Sequence, residues 1–482
     1  MLGRVATYFG FPQANPDVLR IAKIFAVLGP VTNAIMTISS TFYIIFVAEA
    51  LGNGDFIVGM TLVGLLVVIQ MTVQTIMDYP TGVVGDWIGQ RYILASAFIT
   101  YGITYYLVSI VTSESPFFLL VIIYALTGFA ASQQSGALGA WFDNNYRIAN
   151  PGDTQRKQYG VFRGKLNMLF WFSNVLIIIP GGILAVWISR AWVFQLQATL
   201  CILLAVVAFL LIHDLPGVAE TKQARPTLDE YLSLLREGLA FLNSGPFVRY
   251  LLLGNMLITS VIAVWGNLVI FPVYYQYLVS DTAVAAMRTI VMIPLVIYAE
   301  RSGVWAKRFE PRKWIPRMAF IQTAGAVFFW VFSVILFVFP PPSPTSSMLE
   351  IMFPGTDILV LAVPSDALVP VFLMMATFFT FGITYSIIGV LYSQVFIDAI
   401  PNRVRNGVYS LFPTIILILS IPQISFFGWL IPIGGLSLTL ILMGLVSTVG
   451  VILLAKAFTH YEIQGEEIVE QDDDIIIDEN LE

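Results

Sequence analysis

The residues of this sequence that could do chemistry are a few ionisable side chains set between long apolar segments. Asp78, Asp86 and Arg91 lie close together at the end of one such segment. Three glycines separate them: Gly82, Gly85 and Gly89. Glycine permits close backbone approach and positive φ, so the segment predicts a tight turn in which the acids and the base can pair with neighbouring charges.

Asp78 has two possible roles. An ionisable residue inside a long apolar segment is by default a functional hypothesis, so Asp78 is a candidate proton-coupling site. The alternative is a structural latch that hydrogen-bonds beside Pro80. Enzyme chemistry has little support, because the sequence has no phosphate-binding loop, no His-Glu-x-x-His motif and no paired Cys or His for a metal. We therefore predict no catalytic residue, no cofactor, no metal and no nucleic-acid partner.

The elements that position these residues are membrane helices. Hydrophobic residues make up 58% of the 482 residues and charged residues only 11%, whereas about 25% is usual in soluble domains. Apolar runs of roughly 20 residues are long enough to cross a bilayer as helices. We predict an all-α polytopic protein with twelve spans, at about 22–50, 55–80, 92–112, 117–142, 161–188, 192–212, 247–277, 284–306, 314–339, 369–397, 406–430 and 433–457.

The distribution of Lys and Arg predicts the orientation. Basic residues near membrane helices favour the cytoplasmic side, and with both termini cytoplasmic only Arg190 and Arg288 of the 24 basic residues fall elsewhere. The predicted location is the cell membrane, with lipid around the spans.

An internal repeat divides the chain. Gly82–Arg91 joins spans 2 and 3, and a degenerate copy beginning at Gly303 joins spans 8 and 9. We predict four regions: a six-helix bundle at 1–212, a linker with an amphipathic helix at 213–246, a second bundle at 247–458, and an acidic tail at 459–482. The loop at 340–368 begins with several prolines and is predicted to be irregular.

The turn Gly82–Arg91 resembles the loop between helices 2 and 3 of the major facilitator superfamily, and the preceding acid-x-Pro-Thr-Gly resembles a prokaryotic subgroup. The segments Ser135–Asp143 and Ile400–Ser410 are also similar to this family. The resemblance implies two pseudo-symmetric bundles that rock to expose a central site alternately to each side. It further implies that Asp86, Arg91 and Asp143 form a cytoplasmic cluster that favours the outward-facing state.

In this superfamily, spans 1, 4, 7 and 10 line the cavity, and their mid-span polar residues here are uncharged. No arginine pair for a dianion is placed centrally. The candidate substrate-cavity residues are Asn33, Ser40, Gln134, Trp141, Asn255, Thr259, Trp265 and Tyr385. Each could instead be an interhelical hydrogen-bond partner.

These observations predict a monomeric secondary transporter of a small neutral or amphipathic organic solute, with a proton or sodium ion as a possible coupling ion. The alternatives are a membrane sensor or scaffold that does not transport, and a membrane-embedded enzyme.

Overall fold

The computed structural model describes residues 7–11, 15–153, 156–218, 236, 245–343, 345–352, 355, 359–399 and 402–460. Within this part of the chain, eleven helices are long and apolar enough to cross a membrane. The last continuous helix, Asn402–Thr459, is broken at Gly435, where φ is 72° and ψ is 172°. Because this break divides the last helix into two membrane spans, the total of twelve spans agrees with the number that the hydropathy pattern predicts.

The membrane helices follow one another with short turns. They are α1 (Pro16–Thr37 and Tyr43–Leu51), α2 (Phe56–Ile88), α3 (Gln90–Ser109), α4 (Phe117–Gln134 and Ala137–Ala149), α5 (Lys157–Trp187), α6 (Arg190–Leu211), α7 (Pro246–Leu278), α8 (Asp281–Ala306), α9 (Pro311–Ile321 and Ala326–Val338) and α10 (Leu368–Ala399). The two parts of Asn402–Thr459 on either side of Gly435 are α11 and α12.

Helix α4 is interrupted at Ser135 and Gly136. Gly136 has a φ of 72°, in the left-handed region that glycine adopts most readily. The backbone therefore turns between Gln134 and Ala137, and the Ser132 carbonyl becomes free to accept a bond from outside the helix. Helix α7 is irregular in a different way, because Trp265–Val269 forms one π-helical turn.

Each bundle has an aromatic core. In the first bundle, Phe25, Phe142 and Phe162 have ring centroids between 4.8 and 6.2 Å apart. In the second, Trp265 meets the Phe328 and Phe332 rings edge to face, at 5.5 and 5.6 Å. Edge-to-face pairs add about 0.5–1.5 kcal/mol each beyond the area they bury.

The bundles meet most closely near one end of the molecule. A Cβ atom on Gly64 of α2 would lie 3.1 Å from the Gly428 Cα of α11. The Thr282 hydroxyl of α8 donates to the Gly182 carbonyl of α5 at 3.1 Å. We call this end, which carries the turns α1–α2, α5–α6 and α7–α8, the closed face.

The loop between α9 and α10 contains a β-hairpin, so the predicted irregular loop is wrong in this part. Strand β1 (Met348–Met352) pairs antiparallel with β2 (Leu359–Pro364). Short strands rich in apolar residues can form a ladder despite the prolines before them. Most of the predicted linker at 213–246 lies outside the described residues, which include only 213–218, 236 and 245–246 of it, and the predicted acidic tail at 459–482 lies outside them from residue 461 onwards.

Candidate transport pathway

A cavity of about 220 Å³ lies between the bundles. Polar and aromatic side chains from both bundles line it: Ser39, Ser40, Tyr43, Gln70, Tyr101, Thr104, Tyr105, Thr127, Asn267 and Phe271. The α7 wall consists of Gly266, Asn267 and Phe271, beside or within the π-helical turn. Hydroxyl and amide groups among aromatic rings suit an organic molecule with both polar and apolar parts.

Of the predicted cavity residues, Ser40 lines this cavity, but several others lie elsewhere. The Asn33 amide donates to Ser173 Oγ and Asn174 Oδ1, at 3.0 and 2.6 Å, and so ties α1 to α5. Trp141 is 1% exposed and donates to the His213 carbonyl, while Trp265 is 4% exposed in the aromatic core of the second bundle.

The remaining predicted cavity residues are also away from this cavity. Gln134 is half-buried at the end of the first α4 segment. Asn255 and Thr259 are half-buried on α7, where the Thr259 hydroxyl donates to the Asn255 carbonyl at 2.8 Å. The Tyr385 side chain on α10 is 42% exposed. The prediction misses Gln70 and the three α3 residues because it takes only spans 1, 4, 7 and 10 as lining helices.

Arg190 joins the two bundles at the closed face. Its Nε and Nη2 donate to the two Asp281 oxygens at 2.6 and 2.9 Å, and Nη1 pairs with Glu49. Nη2 also donates to the Tyr275 hydroxyl at 2.9 Å. Asp281 and Tyr275 belong to the second bundle, whereas Arg190 and Glu49 belong to the first.

This group, which we call the Arg190 network, is largely shielded from solvent. The exposed fractions of the side chains are 15% for Arg190, 28% for Glu49 and 6% for Asp281. A forked, charge-assisted contact of this kind is among the stronger polar interactions in proteins. In the sequence, Arg190 is one of the two basic residues that do not fall on the predicted cytoplasmic side. Its acidic partners can be identified only from the folded structure.

The three residues of the predicted cluster, Asp86, Arg91 and Asp143, each have contacts among the described residues. Asp143 pairs with Arg147 and Arg156, both at 2.8 Å. Arg91 lies over the rings of its neighbours on α3 and α6, while the Asp86 carboxylate accepts from Gln90 at 3.0 Å. The side chains at the start of α11, at 402–414, lie outside the described residues.

The three glycines of the turn between α2 and α3 differ in whether their backbone conformation or the surrounding space requires a glycine. Gly89 has a φ of 105°, so it ends α2 in a conformation that side chains disfavour. A Cβ on Gly85 would lie 2.9 Å from Gln90 Oε1, and one on Gly82 would meet nothing within 4 Å.

Asp153 anchors the nearby turn between α4 and α5. It accepts bonds from the Tyr146 hydroxyl at 2.8 Å and from the Tyr159 backbone N–H at 3.1 Å. Burial acts to raise the pKa of this carboxyl, but the donors outweigh burial and hold the pKa below its usual value.

Asp78 lies against the interruption of α4. It is half-buried and hydrogen-bonds with the Ser135 side chain. One turn further along α2, the Thr81 hydroxyl lies 3.2 Å from the Ser132 carbonyl that the interruption frees. The acid-x-Pro-Thr segment therefore contacts Ser132 and Ser135 at the irregular turn in α4, a geometry compatible with the latch role.

Two helical bundles with polar groups between them, closed at one end, define a membrane transporter fold. The Major Facilitator Superfamily model matches residues 29–368. The chain therefore belongs to this superfamily. No curated protein sequence matches it significantly.

Solved structures share the fold at low sequence identity. A point mutant of the nucleoside transporter NupG is 12% identical, with a TM-score of 0.65 over 91% of this chain and 100% of the other. A D-xylose-proton symporter is 12% identical, with a TM-score of 0.59 over 89% of this chain and 97% of its own. The xylose transporter XylE from E. coli, in an inward open conformation, is 13% identical, with a TM-score of 0.57 over 89% and 95% of the two chains.

Proposed function

We propose that this protein is a secondary transporter that moves a small neutral or amphipathic organic solute across the cell membrane by alternating access. The observation that carries the proposal is the cavity between the bundles, whose lining side chains come from both. A solute bound there contacts both bundles, so rocking of one against the other can transfer it between the two sides.

The Arg190 network supports a particular state. If both termini are cytoplasmic, as the basic residues predict, the closed face is the outer one and the molecule is inward-facing. The cluster of Asp86, Arg91 and Asp143 would favour the opposite, outward-facing state, as the resemblance to the superfamily implies. Signature residues Gly82, Gly85, Asp86, Gly89, Arg91 and Asp143 keep their proposed role as parts of that second gate.

Flux into liposomes tests the proposal. The full chain is reconstituted, and the uptake of labelled nucleosides, pentoses and aromatic acids is compared with uptake by protein-free liposomes. We expect saturable uptake of at least one class. If no class enters faster than in protein-free liposomes, the scaffold alternative is favoured.

The coupling role of Asp78 is tested in the same system. If Asp78 carries the coupled proton, Asp78→Asn abolishes accumulation driven by a pH gradient but leaves downhill exchange measurable. The matched control is Asp55→Asn, which changes an exposed acid at the start of α2. A mutant that still concentrates solute under a pH gradient removes Asp78 from the coupling path, leaving the latch role together with uniport or a sodium ion.

A further inference from the structure

Arg288 is a charged, half-buried residue on α8 of the second bundle. It lies seven residues after Asp281 on α8, which at 1.5 Å per residue is about 10 Å from the closed face. A separation of seven residues returns to the same face of a helix. Arg288 therefore lies below the Arg190 network, on the side of α8 that faces the crevice.

The exposure of other α8 residues agrees with this placement of Arg288. Ile290, Ile293 and Ile297 are 48–53% exposed and mark the lipid side of the helix. Arg288 lies on the opposite side, flanked by Ala285 and Met292, which pack against α5 of the other bundle. A guanidinium within a span is costly unless it faces the bundle interior or a water-filled cavity.

Arg288 has no acidic partner in the part of the chain that the structure describes. The ion pairs there involve Arg147, Arg156 and Arg190. Tyr274 lies on α7, which packs against α8, and it is within electrostatic range of Arg288. The Tyr274 hydroxyl is itself buried and has no hydrogen-bond partner among the described residues. The Tyr274 hydroxyl thus lacks an acceptor within the described ranges, whereas buried polar groups are normally paired. Arg288, which is half-buried, has no ion-pair partner there.

We propose that Arg288 and the Tyr274 hydroxyl bind the carboxylate of an aromatic organic acid. A guanidinium fork matches the two oxygens of a carboxylate, and a single arginine suits a single negative charge. Phe271, one turn before Tyr274 on α7, lines the cavity together with Tyr43 and Tyr105. The acid group would lie at the Arg288 end and the ring against these aromatic side chains. This inference rests on the proposed transport function and narrows its solute to the amphipathic class.

The test compares two probes of matched shape, 2-naphthoate and its neutral counterpart 2-naphthamide. Binding to the purified full chain is measured by thermal stabilisation over a range of probe concentrations. We expect naphthoate to bind the wild type at least tenfold more tightly than naphthamide. Arg288→Gln should remove that preference, Arg288→Lys should retain part of it, and Tyr274→Phe should weaken naphthoate binding. Arg249→Gln, which changes an exposed arginine at the start of α7, is the control.

Equal affinity of the wild type for both probes, no binding of naphthoate, or unchanged naphthoate binding in Arg288→Gln would each overturn the proposal. The Lys variant and the melting curve without probe separate a binding defect from misfolding. Liposome flux of a neutral solute that does not depend on Arg288 would preserve the transporter assignment and reject this one. If no solute is transported but naphthoate still binds through Arg288, the carboxylate site is retained and the transporter assignment is rejected.

Discussion

Arg190 is the residue whose environment is most specific to the state described here. Its two acidic partners are only 28% and 6% exposed, and without the guanidinium they would repel each other. Removing one partner of a buried ion pair costs about 3–5 kcal/mol. If the closed face separates during the proposed transport cycle, these acids become hydrated, so the lost energy should shift the conformational equilibrium more than it destabilises the fold.

We therefore expect Arg190→Gln to open the closed face. The reporter is Thr282→Cys in a Cys201→Ser background, because Thr282 is 2% exposed at the contact with α5. Its maleimide labelling rate should rise by at least roughly tenfold, the equivalent of about 1.4 kcal/mol. Arg249→Gln should leave the rate unchanged. An unaltered rate in Arg190→Gln would show that the network does not hold this face closed.

The interruption of α4 is an element whose geometry depends on one glycine. Gly136 has a φ of 72°, yet a Cβ placed on it would meet nothing within 4 Å. The penalty for Gly136→Ala is thus backbone strain alone, about 1–2 kcal/mol. Gly139, three residues later, lies within a regular helical segment and also has open space around it.

This pair of glycines gives opposite predictions. Gly136→Ala should lower the apparent Tm of the detergent-purified protein. Gly139→Ala should raise it, because alanine in a helix interior is favoured over glycine by about 0.5–1 kcal/mol. The measurement is thermal unfolding of both variants in the same micelles. Shifts of the same sign would mean that the left-handed turn is not what stabilises the interruption.

At the scale of the whole molecule, we expect the contact between α2 and α11 to act as a pivot for the proposed rocking of the two bundles. Gly64 and Gly428 approach so closely that a Cβ on either would lie 3.0–3.1 Å from the Cα of the other. Gly64→Leu should act as a wedge, open the closed face and accelerate labelling of the Thr282→Cys reporter. The control is Gly164→Leu, where a Cβ would meet nothing within 4 Å. Equal labelling of the two variants would contradict this pivot.

The helical architecture could be predicted from the sequence because each span must be apolar over the thickness of a membrane. The internal repeat and the uneven distribution of Lys and Arg between the two sides are also visible in the sequence. The Arg190 network could not be predicted in detail, because its partners are 91 and 141 residues away along the chain. Helical spacing assigns Trp141 and Trp265 to the cavity, but spacing cannot tell a helix's cavity side from its packed side.

The π-helical turn Trp265–Val269 has a genetic consequence. A π turn accommodates an additional residue in an otherwise α-helical segment, so the helix on either side keeps its packing. Deletion of a single codon within this turn could restore a regular helix and leave the flanking contacts of α7 in place. Asn267 would then no longer be presented to the cavity in the same way. A one-codon deletion here, unlike one elsewhere in α7, could therefore yield a folded protein with altered solute preference.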